Sequence, residues 1–168
     1  MVKQYAAEFS GVELIAKGRG TKPAWLVTHR PFWAVASWGN PTYPSFGATD
    51  KTLQQALAAS VWKKLPAQIK MTMAGHIHLA QQMDLDNGRP TQLVFGNGGT
   101  SRDPSLKQAD GSLHPKVGTI ITNLGGDTGT FFTSYDFSFG IITPKTGAWA
   151  VDFHGKAGNV LHSASVAN

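Results

Sequence analysis

Two short apolar runs, AWLVT at 24–28 and IKMTMA at 69–74, constrain the fold of this chain more than any other feature. Each run is bounded by turn-forming residues, which is typical of a buried β-strand. The first run alternates poorly between apolar and polar residues, so we expect a strand of a parallel sheet that is covered on both faces.

A helix is predicted before each of these strands. The first spans 3–17, and its apolar stripe contains Tyr5, Phe9, Val12 and Ile15. The second spans about 51–64 and follows Asp50 as its N-cap, after a loop over 37–49. The order helix, strand, loop, helix, strand predicts an α/β layer with a largely parallel core.

The second half of the chain favours antiparallel pairing. The runs 80–85 and 90–95 flank Asn87-Gly88, a pair typical of a tight hairpin turn. A long loop is predicted over 96–130, where Gly, Ser, Thr, Asp and Pro are frequent. Further antiparallel strands are predicted over 131–143, 148–154 and 159–166.

The composition excludes several classes of protein. The 168 residues include no cysteine, which excludes disulfide scaffolds, thiolate metal sites and cysteine nucleophiles. The net charge of +5 comes without a basic run longer than Lys63-Lys64, so no nucleic-acid partner is expected. Neither a membrane span nor a signal peptide is predicted, because no long apolar stretch occurs and Glu8 and Glu13 interrupt the amino-terminal region. We expect one soluble domain over 1–168, in a compartment left open.

Histidines follow both buried strands directly. His29 follows AWLVT, and Gly75-His76-Ile77-His78 follows IKMTMA. In open α/β sheets, ligand sites gather at the carboxyl ends of the strands. In an extended segment His76 and His78 would share a face, and imidazoles so placed ligate one metal ion or two neighbouring ions. The alternatives are a plain turn pair for these two, and a core histidine in a tight turn for His29.

Three segments together resemble a known family: Thr28-His29-Arg30-Pro31, Gly75-His76-Ile77-His78 and Phe95-Gly96-Asn97-Gly98-Gly99. They are similar to motifs of the calcineurin-like metallophosphoesterases, most of all the bacterial members and the related purple acid phosphatases. The resemblance implies the C-terminal half of an α/β/β/α sandwich, with one mixed sheet and helices on one face. It also implies a two-metal site, in which His29 and His76 bind one metal and His78 binds the other.

The chain departs from the family at the remaining ligands. The family's Asp-x-His, Gly-Asp and Gly-Asn-His-Asp/Glu elements come from its N-terminal half, and none of them precedes His29, since residues 1–28 contain no Asp and no His. We therefore expect that the chain corresponds to the C-terminal half of the fold. Three neutral nitrogens suit Zn²⁺ and are poor ligands for Mg²⁺ or Ca²⁺, so the expected cofactor is Zn²⁺, Mn²⁺ or iron.

These features lead to three hypotheses about function. In the first, a metal-activated water attacks a small-molecule phosphoester. In the second, the same chemistry acts on a carboxylic ester or a lactone, for example an acyl-homoserine lactone, because the family's leaving-group acid is missing. In the third, the chain is a catalytically incomplete half-domain that binds a metal or a partner.

Other side chains are weaker candidates. Arg30 is a candidate for binding the substrate's anion, with a local ion pair as the alternative, and Asn97 is a candidate for orienting the substrate, with a glycine-rich turn as the alternative. Three acidic residues of the predicted long loop are candidate oxygen ligands: Asp103, Asp110 and Asp127. The segment 84–88 is interpreted as a hairpin turn, since Phe95 stands where a calcium loop needs a glutamate.

A homodimer is also predicted. Half of a two-sheet sandwich would leave the inner face of its sheet uncovered, and large exposed apolar patches are rare on soluble monomers. The simplest solution is a two-fold dimer in which two such faces meet.

Overall fold

A computed structural model describes residues 2–36, 45–47, 65–86, 88–99, 117–121 and 128–168. In chain order this part contains α1 (Val2–Gly18), β1 (Ala24–Thr28), β2 (Ala34–Ala36), β3 (Ser45–Gly47), β4 (Ile69–Ala74), β5 (Ala80–Leu85), β6 (Thr91–Phe95), β7 (Val117–Ile121), β8 (Thr128–Ser134), β9 (Ser138–Lys145), β10 (Ala148–Gly155) and β11 (Val160–Ala167). None of the helices described there is both long enough and apolar enough to cross a bilayer.

Six strands form one mixed sheet in the order β1-β4-β6-β5-β8-β7. β1 is parallel to β4 and β4 is parallel to β6, whereas the other neighbours are antiparallel. The register places Thr28 beside Ala74, and Ala74 beside Val94. The carboxyl ends of β1, β4 and β6 therefore meet at one edge of the sheet, as the predicted parallel core requires. The predicted α/β class is confirmed. The expectation that β1 is covered on both faces is wrong, because β1 is an edge strand and the side chains of Trp25 and Val27 are 41% and 68% exposed.

A second, three-stranded antiparallel sheet, in the order β11-β10-β9, covers one face of the mixed sheet. Its buried Val151 and Phe153 pack against Met71, Leu93 and Phe132 of the mixed sheet. The Phe153 ring lies 5.1 Å from the Phe95 ring and 5.2 Å from the Phe132 ring, measured between centroids. The expectation of an uncovered inner face is wrong, because the chain's own last strands cover it. The homodimer itself stays a prediction, now without that reason for it.

The opposite face of the mixed sheet carries α1 and the segment after β1. The backbone N–H of Phe32 donates to Gln92 Oε1 on β6 at 3.1 Å, and the Phe9 ring of α1 packs on Phe32 with centroids 5.8 Å apart. The apolar stripe of α1 is defined by Phe9 and Ala16, which are buried. The prediction that Ile15 belongs to this stripe is wrong, since its side chain is 71% exposed.

Two predicted boundaries need correction. The stretch 131–143 forms parts of two strands, because the chain turns after Ser134, whose Oγ accepts the Asp136 N–H at 3.4 Å. β8 therefore ends in the mixed sheet, and β9 begins in the second sheet. The predicted loop over 96–130 contains β7 and the start of β8, which pair with each other at the edge of the mixed sheet.

The other predicted segments have mixed outcomes. The predicted loop over 37–49 contains β3, which pairs with β2. The hairpin of β5 and β6 is confirmed by its antiparallel register and by Gly88, whose φ is 72°. The predicted helix over 51–64, with its N-cap Asp50, lies outside the described residues.

Candidate metal centre at the carboxyl edge of the sheet

The carboxyl edge of the parallel strands brings two predicted metal ligands together. His29 follows β1, and His76 follows β4 after Gly75. The Gly75 N–H donates to the His29 carbonyl at 3.2 Å, which ties the two strand exits to each other. This juxtaposition depends on the parallel pairing of β1 with β4, because the two histidines are 47 residues apart in sequence.

The two imidazole rings face each other through nitrogen atoms. His29 Nε2 lies 3.1 Å from His76 Nδ1, the ring centroids are 4.8 Å apart and the planes cross at 71°. In one pair of tautomers this contact is a hydrogen bond. When both facing nitrogens are deprotonated, their lone pairs are available to one ion. His29 and His76 would then be the residues that hold it, since imidazole nitrogen is an ordinary ligand of Zn²⁺.

The segment after β4, residues 75–79, is called the histidine loop here. Two successive short turns form it: the Ile77 N–H donates to the Gly75 carbonyl at 2.7 Å, and the Leu79 N–H donates to the Ile77 carbonyl at 2.9 Å. The expected extended geometry is therefore replaced by turns. Ile77 and Leu79 are buried, whereas His76 and His78 are exposed, so both histidines still face solvent.

His76 adopts a backbone conformation that most residues avoid. Its φ of 60° is the one positive value among the described non-glycine residues. An i to i+2 turn with a positive φ at its centre is rare and strained. Strain of this kind persists where the surrounding structure holds it, and it is concentrated at functional sites.

Gly96, directly after β6, supports the histidine loop. A side chain here is impossible without rearrangement, because a Cβ would lie 1.7 Å from the carbonyl oxygen of Ile77. The Gly96 N–H donates to the Leu79 carbonyl at 3.1 Å. Gly96 was not predicted from the sequence to be a part of the site. The signal that points to it is a glycine immediately after a buried strand, where close backbone approach is common.

Asn97 also lies after β6, and its side chain is fully buried. Its Nδ2 donates to Ser138 Oγ at 2.8 Å and to the Asp136 carbonyl. Its Oδ1 has no hydrogen-bond partner among the described residues. The amide group therefore joins the end of β6 to the start of β9.

The remaining candidates are less closely assembled. His78 does not complete a three-ligand set, since the described part of the chain holds no group of three His, Asp or Glu side chains arranged to bind an ion. Arg30 is exposed beside His29, and its carbonyl accepts the Thr28 hydroxyl at 2.8 Å. The candidate oxygen ligands Asp103, Asp110 and Asp127 lie outside the described residues.

The fold is similar to that of a known enzyme. Among solved structures, the purple acid phosphatase PPD1 isolated from yellow lupin (Lupinus luteus) seeds matches with a TM-score of 0.59 and 16% sequence identity. The match covers 95% of this chain and 28% of that chain. At this identity the similarity shows a shared fold and nothing finer. No protein-family model matches the chain, and neither does any curated protein.

Proposed function

We propose that this chain acts as a metal-dependent hydrolase of the metallophosphoesterase kind on a small-molecule phosphoester. The observation that carries the proposal is the pair of facing nitrogens, His29 Nε2 and His76 Nδ1, at 3.1 Å. Their location at the carboxyl edge of parallel strands, where α/β folds bind ligands, supports the same conclusion. The metallophosphoesterase-like fold supports the class of reaction.

The chemistry of the ligands favours a transition metal. Imidazole nitrogen is a common ligand for zinc and iron, whereas Mg²⁺ and Ca²⁺ prefer oxygen. We therefore propose Zn²⁺ or iron, with Mn²⁺ as a third choice, held by His29 and His76. His78, on the same exposed loop as His76, is a further candidate ligand. A bound ion of this kind supplies a hydroxide near neutral pH and stabilises negative charge on the reacting ester.

Residues of the chain itself orient the metal ligands and supply a positive charge for the substrate's anion. The histidine loop presents His76 through a fixed turn, so that its Nδ1 faces His29. Arg30 follows His29 on the exposed edge, and its guanidinium suits the bidentate binding of phosphate oxygens. Asn97 was the other predicted substrate-binding residue, but its buried side chain makes Arg30 the better candidate for the substrate's anion.

A second candidate function is metal binding without turnover. It is favoured because, within the described residues, two facing nitrogens are present but no three-ligand group is. Hydrolysis of a carboxylic ester or a lactone, such as an acyl-homoserine lactone, is a third candidate, since an acyl carbonyl is an easier electrophile than a phosphoester and depends less on a general acid.

Metal binding by the purified chain is the first test. Isothermal titration calorimetry with Zn²⁺ would compare the wild-type chain with His29→Ala, His76→Ala and His154→Ala. His154 is a matched control, because it lies on β10 and its Nδ1 contacts the Gly158 carbonyl at 3.0 Å. We expect each site variant to weaken Zn²⁺ binding by at least about tenfold, and the control to leave it unchanged.

Turnover is the second test. The chain loaded with Zn²⁺ or Mn²⁺ would be assayed with p-nitrophenyl phosphate, bis(p-nitrophenyl) phosphate, p-nitrophenyl acetate and an acyl-homoserine lactone. Phosphoester hydrolysis that disappears in the His76→Ala/His78→Ala double variant supports the proposal. Hydrolysis that survives this variant overturns it. Zn²⁺ binding without hydrolysis of any of the four compounds favours the second candidate.

A further inference from the structure

We infer that Asn97 is a positioning residue: its buried amide fixes Gly96 against the histidine loop and so sets the position of His76 opposite His29. The expected effect on metal binding rests on the proposed function. The effect on the position of His76 depends only on contacts between described residues.

Gly96 is in direct backbone contact with the histidine loop. The Gly96 N–H holds the Leu79 carbonyl at 3.1 Å, and the space for a Gly96 side chain is filled by the Ile77 carbonyl. These two carbonyls belong to the same loop that turns at His76. A shift of the backbone at Gly96 therefore moves the loop and its histidines.

The two neighbours of Gly96 attach it to the second sheet. Asn97, the next residue, donates from Nδ2 to Ser138 Oγ at 2.8 Å and to the Asp136 carbonyl. On the other side of Gly96, the Phe95 ring packs on Gly140, where a Cβ would lie 2.2 Å from a ring atom. Both neighbours of Gly96 are thus held by β9 and the turn that precedes it.

The buried amide group of Asn97 makes contacts that an apolar side chain could not make. Asn97 Oδ1 is buried and has no hydrogen-bond partner among the described residues. Burying a polar amide costs free energy unless its hydrogen bonds offset that cost, so the presence of a fully buried amide here points to a specific role. Holding two acceptors of the β8–β9 connection with one amide group provides that role, and no apolar side chain of similar size does so.

The experiment uses four variants of the full chain. Asn97→Ala removes both donors, Asn97→Asp keeps the shape but loses the N–H groups, and Ser138→Ala removes one acceptor. Val151→Ala, in the core between the two sheets and fully buried, is the control for a general loss of stability. The first readout is the set of ring ¹⁵N chemical shifts of His29, His76 and His78 without metal, and the second is the Zn²⁺ dissociation constant.

We expect both Asn97 variants to shift the ring resonances of His76 and to weaken Zn²⁺ binding about tenfold, the size typical of residues that orient metal ligands. Ser138→Ala should act in the same direction by a smaller factor, and it keeps the test valid where an Asn97 variant fails to fold. Val151→Ala should leave the ring shifts unchanged.

Unchanged ring shifts in every folded Asn97 or Ser138 variant would overturn the inference, as would equal shifts in Val151→Ala. A wild-type chain that binds no Zn²⁺ would instead overturn the proposed function, while the ring shifts would still decide the role of Asn97.

Discussion

At the scale of single residues, the site depends on one residue with an unusual backbone conformation and on one position without room for a side chain. His76 has a positive φ of 60°, and Gly96 leaves no space for a side chain. A non-glycine residue in the left-handed region costs roughly 1–2 kcal/mol. The buried neighbours Ile77 and Leu79 compensate by anchoring the loop in the core. The His76 ring is therefore oriented before any ligand arrives.

Gly96→Ala tests how strictly this arrangement is held. The added methyl group would overlap the Ile77 carbonyl, so we expect a loss of about 2 kcal/mol or more in the free energy of unfolding. Gly99→Ala is the matched control in the same segment, because nothing lies within 4 Å of its added Cβ. Urea denaturation followed by tryptophan fluorescence measures both. Equal stabilities for the two variants would contradict this account of Gly96.

At the scale of elements, the strands with clear apolar runs could be predicted from the sequence. β1 and β4 have the predicted bounds because turn-forming residues delimit each run. The division between β8 and β9 could not be predicted in this way. Apolar alternation continues through 131–143, and it shows that a strand has a buried face without showing which sheet it joins.

The candidate site, too, could be predicted from the sequence only in part. Histidines after two parallel strands could be expected to converge, since the strand ends share an edge, and His29 and His76 do so. The positive φ of His76 could not be predicted from the sequence, because non-glycine residues of any type rarely adopt it and the tertiary structure decides where they do. The partners of Asn97 lie about 40 residues further along the chain, and spacing alone does not identify them.

The packing of β11 on β8 makes stability depend on pH. His162 stacks on Phe132 with centroids 4.3 Å apart, and burial lowers the pKa of His162 below its ordinary 6.5, an effect that the Asp84 carboxylate partly opposes. As the pH falls, the unfolded chain therefore takes up this proton before the folded chain does. The free energy of unfolding that neutral His162 contributes is therefore lost progressively as the pH falls below about 6.5, until the pH reaches the lowered pKa of His162 in the folded chain.

His162→Phe, which keeps an aromatic ring against Phe132, separates this contribution from that of the other histidines. We expect the free energy of unfolding of the wild-type chain, relative to the variant, to be constant above about pH 7.5 and to decrease from pH 7 towards pH 5. Urea denaturation across this range measures the difference. A difference that stays constant or increases on acidification would show that His162 does not titrate as stated.

At the scale of the whole molecule, the two sheets share one hydrophobic core. Met71, Leu93 and Phe132 of the mixed sheet meet Val151 and Phe153 of the second sheet. Each sheet therefore needs the other to bury its inner face. We expect the described part of the chain to lose both sheets in one cooperative transition.

Phe153→Ala tests the shared core. Its fully buried ring packs on Phe95 and Phe132, so truncation should cost about 3–5 kcal/mol. Phe139→Ala is the matched control on the neighbouring strand β9, where the ring is 48% exposed and the expected loss is below about 1 kcal/mol. Guanidinium denaturation followed by fluorescence and circular dichroism measures both losses. Two separate transitions in the wild-type chain would contradict a shared core.

The separation of His29 from His76 by 47 residues has a consequence for the order of folding. Closing so long a loop has an entropic cost, and a single contact between two side chains does not offset it. The rings meet once β1 has paired with β4, so the histidine pair forms after this pairing and not before it. An ion captured by this pair would report that the parallel strands are already in register.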